Sequence, residues 1–264
     1  MQVKLIRNAT ILVEYGGKKI LVDPWLTSKG KGGNFRMLGF ADEAPTPDSI
    51  DVAMPICELP CQISDVLADV DFYILTHIHP DHIDMEQDGT VGKLLNKSIP
   101  IFTQSDIDAQ VLKKSGFTDV RVMTEKSEFE NLQIIKTCAR HGSKIPMGNA
   151  CGFVLSSDTE NTLYVAGDTI WYDEIGQILK KYKPSTIVLN ACAATFKTFG
   201  RLIMDDADVE KVCQASPSAD IIVVHMDNVA HALLTRDTLR QKLSKRGILD
   251  KVIIPDDGEK IKLK

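Results

Sequence analysis

Apolar and polar residues alternate through Val3, Leu5, Ile11 and Val13, pause at Gly16-Gly17, and resume at Ile20-Leu21-Val22. A period of two broken by a Gly-Gly pair predicts a strand meander with a tight hairpin. From Asp23-Pro24 to about Ser64 the periodicity disappears, with glycines and prolines such as Gly32, Gly33, Pro45, Pro47 and Pro60 scattered through the gap. A structureless stretch of this length in a compact protein is expected to act as a lid or to shape access to a site.

Beyond the gap, Ser64 to Leu67 reads as a short helix and Phe72 to Thr76 as a buried strand. Ile101 to Thr103 predicts a strand, followed by a helix capped near Ser105 that runs to about Lys114 and stops at Gly116. A second group of strands is expected at Val120 to Met123, Phe129 to Cys138, Gly152 to Ser156 and Leu163 to Ala166. Helix returns at Tyr172 to Tyr182, ended by Pro184, before the apolar strand Thr186 to Asn190. Asp205 to Ala215 and Thr235 to Lys245 read as helices, Ile221 to Val224 as a buried strand, and Val252 to Ile254 as the final strand. Strands then helices, twice over, predict an α/β class with two mixed sheets face to face and helices on the outer faces.

The chain has 264 residues, enough for a large core, and a single domain over 1–264 is expected because no linker interrupts it. With 44% hydrophobic and 25% charged residues the composition is that of a globular protein. A net charge of -5 argues against a general nucleic-acid binder. No apolar stretch is long enough to span a bilayer, and Lys4, Arg7 and Glu14 lie within a strand pattern unlike a signal peptide, so a cytoplasmic location is expected. The six cysteines are scattered without a C-x-x-C pair and read as reduced thiols.

The densest chemistry is Thr76-His77-Ile78-His79-Pro80-Asp81-His82, directly after the apolar run Phe72 to Leu75. Three imidazoles and a carboxylate at a strand end suit zinc, manganese or iron; a surface histidine cluster is the plainer reading. In extended backbone His77 and His79 point to one side, while a turn at Pro80 swings Asp81 and His82 toward a second position. His141 follows the strand ending at Cys138, His225 caps the strand ending at Val224, and Asp168 and Asp23 each close an apolar run. Strand ends are where α/β folds gather their sites. Taken singly, each of these is more often a turn, cap or polar core residue.

The order of histidine cluster, later histidine, strand-end aspartate and later histidine resembles the metallo-β-lactamase superfamily of metal-dependent hydrolases. Within it, Asn8 to Gly17 leading to Leu21-Val22-Asp23-Pro24-Trp25-Leu26, and His225-Met226-Asp227 followed by His231-Ala232-Leu233-Leu234-Thr235-Arg236, are similar to the branch of ascorbate-6-phosphate lactonase and the phospholipase D of N-acyl phosphatidylethanolamine. The resemblance implies a four-layer αββα sandwich and two divalent metal ions, zinc first, with manganese or iron as alternatives. It implies that His77, His79 and His141 hold one ion, Asp81, His82 and His225 the other, and Asp168 bridges them. A metal-bound hydroxide would then cleave a small ester, lactone or phosphodiester, a phosphorylated sugar lactone among them.

Asp81 and His231 are the catalytic candidates. His231 either assists at the substrate or is an ordinary loop histidine; Asp23 either accepts a hydrogen bond from a ligand histidine or turns the chain before Pro24. The expected partner is a small molecule, an anionic one included, for which Lys29, Lys31, Arg36, Arg140, Lys144 and Arg236 are cationic candidates and solvated surface charge is the plainer reading of each. Neither a nucleic-acid partner nor a membrane span is expected, and a homo-oligomer is compatible. Competing readings are a di-iron redox protein, against which stands His79 where such members usually carry glutamate, and a nuclease of the same fold, which usually adds a clamp domain. A metal-binding protein without catalysis is the last alternative.

Overall fold

The computed structural model describes residues 1–263. The chain opens with β1 (Gln2–Arg7), β2 (Thr10–Tyr15) and β3 (Lys18–Val22), then α1 (Ile63–Leu67), β4 (Phe72–Leu75), β5 (Ile101–Thr103), α2 (Asp106–Lys114) and β6 (Val120–Val122). Next come β7 (Ser127–Phe129), β8 (Leu132–Cys138), β9 (Cys151–Ser156), β10 (Leu163–Val165), α3 (Asp173–Tyr182), β11 (Thr186–Asn190), β12 (Thr195–Phe196) and β13 (Gly200–Arg201). The last elements are α4 (Asp206–Ala215), β14 (Asp220–Val224), α5 (Arg236–Lys245), β15 (Val252–Ile253) and β16 (Lys260–Lys262).

Two mixed sheets form, in the orders β16-β1-β2-β3-β4-β5-β6 and β15-β14-β11-β10-β9-β8-β7. One core lies between them: Ile20, Val22, Phe72 and Ile74 from the first sheet meet Phe153, Val165, Val188 and Val224 from the second. Alternate residues of the same strands face outward, where Leu21, Tyr73 and Leu75 pack on Val66 and Leu112 of α1 and α2. On the other side Ile187, Leu189 and Val223 pack on Ile175, Val209 and Leu239 of α3, α4 and α5. Four layers, αββα, result. Because the central strands bury both faces, Phe72 to Leu75 and Ile221 to Val224 read as unbroken apolar runs.

The Ser105 cap falls where expected, its side chain accepting from the Asp108 amide; Asp205 caps α4 by accepting from the Ala207 and Asp208 amides, and Thr235 caps α5 by accepting from the Thr238 amide. Three expectations need correction. Phe129 to Cys138 is two strands, because Glu130 takes a left-handed φ of 52° and turns β7 antiparallel onto β8. Val252–Ile253 is not the final strand, since β16 returns to pair with β1. Between Asn190 and Asp206 the chain forms the β12-β13 ribbon, whose two-residue strands carry no readable period.

The segment 24–62 has only two 3-10 turns, Ala41–Glu43 and Pro47–Ser49, yet it is pinned. The buried Arg7 guanidinium donates to the carbonyls of Trp25, Thr27 and Cys57, and Asp84 accepts from the Leu26 and Thr27 amides and the Thr27 hydroxyl. All six cysteines are free thiols. Among the described residues no helix is long and apolar enough to cross a membrane.

Candidate metal centre

Asp23 stands at the end of β3 with a left-handed φ of 45°, beside Thr76 at the end of the parallel neighbour β4. One Asp23 oxygen accepts from the Thr76 amide at 2.8 Å; the other accepts from the Thr76 hydroxyl at 2.8 Å and lies 2.9 Å from His82 Nδ1. Asp168 follows β10 through Gly167, whose φ is 65° and whose missing Cβ leaves room for the Cys151 carbonyl. His141 lies beyond β8. His225 caps β14 with φ 65°, its amide donating to the Asn8 carbonyl at 2.8 Å. Asn8 is itself left-handed, at 55°. Backbone of this kind persists only where the surroundings hold it.

These strand ends converge. Three groups of potential ligand atoms, each within 4.8 Å, are His77-His79-His141, His77-His82-Asp168 and Asp81-His82-His225. Oδ2 of Asp168 sits at the centre, 3.3 Å from His82 Nε2, 3.7 Å from His141 Nε2 and 3.9 Å from His77 Nε2. His225 Nε2 is 3.2 Å from Asp81 Oδ2.

Four imidazoles share one orientation. Nδ1 of His77 faces the Thr76 hydroxyl at 3.1 Å, that of His82 faces Asp23, that of His141 the Leu202 carbonyl at 3.1 Å, and that of His225 the Cys192 sulfur at 3.6 Å. An Nδ1–H donated outward from each would leave Nε2 turned inward to give a lone pair to a cation, as where the far nitrogen of a metal-bound histidine is held by an outer partner. His79 instead turns Nδ1 toward His77 Nε2, at 2.9 Å. Nε2 of His82 is buried and has no hydrogen-bond partner among the described residues, the condition of an atom that fits a cation.

Burial pushes His77 well below the usual histidine value, His79 down to about 4, and His141 down. Burial opposes charge on His82 too, but Asp168 and Asp23 outweigh it and raise its pKa to about 10. Against the same burial, Asp168 and Asp81 raise His225 well above its usual range. Asp81 and Asp168 stay well below the carboxylate range, since the facing histidines overcome the desolvation penalty. The set offers ionised carboxylates, imidazoles held neutral at His77, His79 and His141, and two more, His82 and His225, that would exchange a proton for a cation, which is the donor chemistry of a site for zinc, manganese or iron.

Over this floor opens a cavity of about 290 Å³. His79, Asp81, His141, Asp168 and His231 line its base, and Trp25, Phe35, Phe40, Met54, Met85 and Phe196 its walls. His231 is wedged edge-on against Phe35 and Phe196, with Nε2 3.9 Å from Asp81 Oδ2. Burial lowers its pKa to about 4.

The expected cationic contacts do not gather here: among the described residues no lysine or arginine lines the cavity. Arg236 is held by Asp227 and Asp257, Arg36 by Asp51, and Lys144 donates to the Lys197 carbonyl. Lys29, Lys31 and Arg140 are exposed. Sequence reasoning missed Asn8, Asn190 and Cys192. Asn190 could have been found by the signal that found Asp168, a polar residue closing an apolar strand.

Residues 18–226 match the family profile described as the beta-lactamase superfamily domain. The chain belongs to that superfamily. It is 38% identical over 265 residues to the UPF0173 protein YddR of Bacillus subtilis (strain 168), covering 98% of each chain, so it is a UPF0173 member. A UPF0173 metal-dependent hydrolase of Pyrococcus abyssi is 28% identical over 194 residues, 72% of this chain and 71% of that one. Among solved structures, the isothiocyanate hydrolase from Delia radicum gut bacteria is 35% identical and covers 100% of this chain and 99% of that one, with a TM-score of 0.89.

Proposed function

We propose that this UPF0173 protein is a metal-dependent hydrolase of small, uncharged electrophiles with an apolar substituent, organic isothiocyanates foremost. The observation that carries the reading is the junction of a donor-rich floor with an apolar cavity free of lysine and arginine among the described residues. A phosphorylated lactone or phosphodiester fits this cavity less well, because away from the metal-binding floor its charge would meet apolar walls with no lysine or arginine among the described lining residues.

Two divalent cations suit the donors, one with His77, His79 and His141 and one with Asp81, His82 and His225, with Asp168 between them. When bound, such ions lower the pKa of water and polarise an electrophile. The chain's own residues do the rest. Asp23, the Thr76 hydroxyl and the Leu202 carbonyl fix the imidazoles by their Nδ1–H groups. Trp25, Phe35 and Phe196 exclude bulk water and seat the organic group. His231, neutral at physiological pH, offers a hydrogen bond to the substrate heteroatom from the wall beside Asp81.

For an isothiocyanate, water oxygen adds to the central carbon and one water proton reaches nitrogen; the resulting thiocarbamic acid then passes the second water proton to the same nitrogen as the carbon–nitrogen bond breaks, leaving amine and carbonyl sulfide. The similarity to the isothiocyanate hydrolase supports this class. The test is to strip the protein with a chelator, reload it with zinc or manganese, and assay benzyl isothiocyanate, a neutral aryl ester, a lactone and an aryl phosphodiester. Metal-dependent release of amine, exceeding phosphodiester cleavage, is expected. Faster turnover of the phosphodiester, or amine release indifferent to chelation, overturns the proposal.

A further inference from the structure

Asn190 and Cys192 lie two residues apart where β11 ends, and each holds one candidate ligand by the atom that faces away from the cluster. The Asn190 amide donates to Asp168 Oδ1 at 2.6 Å. The Cys192 sulfur lies 3.6 Å from His225 Nδ1. All four residues are buried.

We infer that Asn190 and Cys192 are positioning residues that select the atom each ligand offers: Oδ2 of Asp168 and Nε2 of His225. The inference rests on the paired-cation reading above and adds to it an outer arm that the ligand residues themselves do not contain.

The two oxygens of Asp168 are not equivalent. Oδ2 has Nε2 of His77, His82 and His141 within 3.9 Å, so it faces both proposed ligand groups. Oδ1 has the Asn190 amide and only a distant His225, at 3.9 Å. Held in this way, the carboxylate would offer Oδ2 alone to bound cations; released, it could turn and offer both oxygens. At His225 the competition is between two ring nitrogens. A sulfur acceptor beside Nδ1 would keep a proton there and leave Nε2, 3.2 Å from Asp81 Oδ2, as the nitrogen that gives up its proton to a cation.

The strand geometry explains the pairing. β11 lies between β10 and β14, whose ends carry Asp168 and His225, so its own terminus is the one place from which a short chain segment reaches both. Asn190 is the last residue of β11 and Cys192 lies at the bend just beyond it, and both side chains reach the site.

The experiment uses full-length protein with zinc or cobalt and three variants, Asn190→Ala, Cys192→Val and Cys192→Ser. Uptake of the second ion is measured against a competing chelator, the separation of the two ions by X-ray absorption, and the His225 tautomer by nitrogen NMR of the zinc form. Loss of such an outer partner typically weakens metal binding about 10- to 100-fold, and that loss is expected for Asn190→Ala and Cys192→Val. Asn190→Ala lengthens the ion separation, and Cys192→Ser, which keeps an acceptor at Nδ1, restores both affinity and tautomer. Wild-type affinity and separation in folded Asn190→Ala and Cys192→Val overturn the inference while leaving the metal site standing. Wild-type protein that takes up fewer than two ions sinks the paired-cation reading and the inference with it.

Discussion

Oδ2 of Asp23 lies 2.9 Å from Nδ1 of His82, and both side chains are almost wholly buried. The same carboxylate also holds the backbone at Thr76, so it orients the start of the histidine segment and one of its rings together. Substituting Asp23→Asn keeps the size but weakens the acceptor at Nδ1. Metal affinity is expected to fall about 10- to 100-fold, as for other outer partners of ligating histidines. Competitive chelator titration measures it; unchanged affinity would show that Asp23 only turns the chain.

Proton release should accompany metal uptake. His82, at about 10, and His225, raised well above its usual range, hold protons at neutral pH in the metal-free protein. A cation must displace both, so its apparent affinity rises with pH, by up to about 100-fold per unit when two protons leave. The metal-free fold has the opposite slope. Histidines whose folded pKa is raised lend stability below their unfolded value of 6.5 and lose it as pH climbs through the folded value. Melting of stripped protein should therefore decline from pH 7 to 9, and calorimetry in buffers of different ionisation enthalpy should count nearly two protons released on loading. A count near zero contradicts the assigned charges.

Gly167 tolerates no side chain. Its left-handed φ of 65° strains an L residue, and a Cβ would overlap the Cys151 carbonyl oxygen. Gly167→Val is expected to cost several kcal/mol, more than the ~1–3 kcal/mol of a strained backbone position alone. Thermal unfolding of the metal-free variant reads the loss, and a melting point equal to wild type refutes the packing argument.

Cavity substitutions should separate affinity from chemistry. Phe196 packs on Phe35 at a centroid distance of 5.3 Å and on His231 at 5.2 Å. Phe196→Ala removes an apolar wall and a support of His231, so KM for an aryl isothiocyanate should rise about tenfold, in line with losing ~1–3 kcal/mol of apolar contact. Introducing charge by Met85→Lys should improve turnover of a carboxylate-bearing analogue relative to the neutral one. Steady-state kinetics on the paired substrates decide both.

Much of the candidate centre was legible because most of its donors close an apolar strand: Leu75 stands before the histidine segment, Val165 before Gly167-Asp168 and Val224 before His225, while His141 lies three residues past β8. Period and strand ends are local properties, and so the four layers could be read as well. What escaped was set by contacts remote in sequence. Nothing local marks Cys192 as the neighbour of His225, 33 positions on, or Glu130 as the left-handed residue that splits one apparent strand into β7 and β8. The cationic candidates misled for a related reason. Arg236 and Arg36 are as basic as any phosphate-binding arginine, and only folding shows Asp227, Asp257 and Asp51 already paired with them.

The ordered excursion between β3 and α1 supplies Trp25, Phe35, Phe40 and Met54 to the cavity, whereas the donors hang from strand termini. Much of the cavity wall therefore comes from a stretch of chain that carries none of the donors, with Met85 and Phe196 completing it from elsewhere. Exchanging the central part of the excursion between homologues, while keeping the Arg7 and Asp84 anchors at its start, offers a route to new substrate ranges on an unaltered reaction centre.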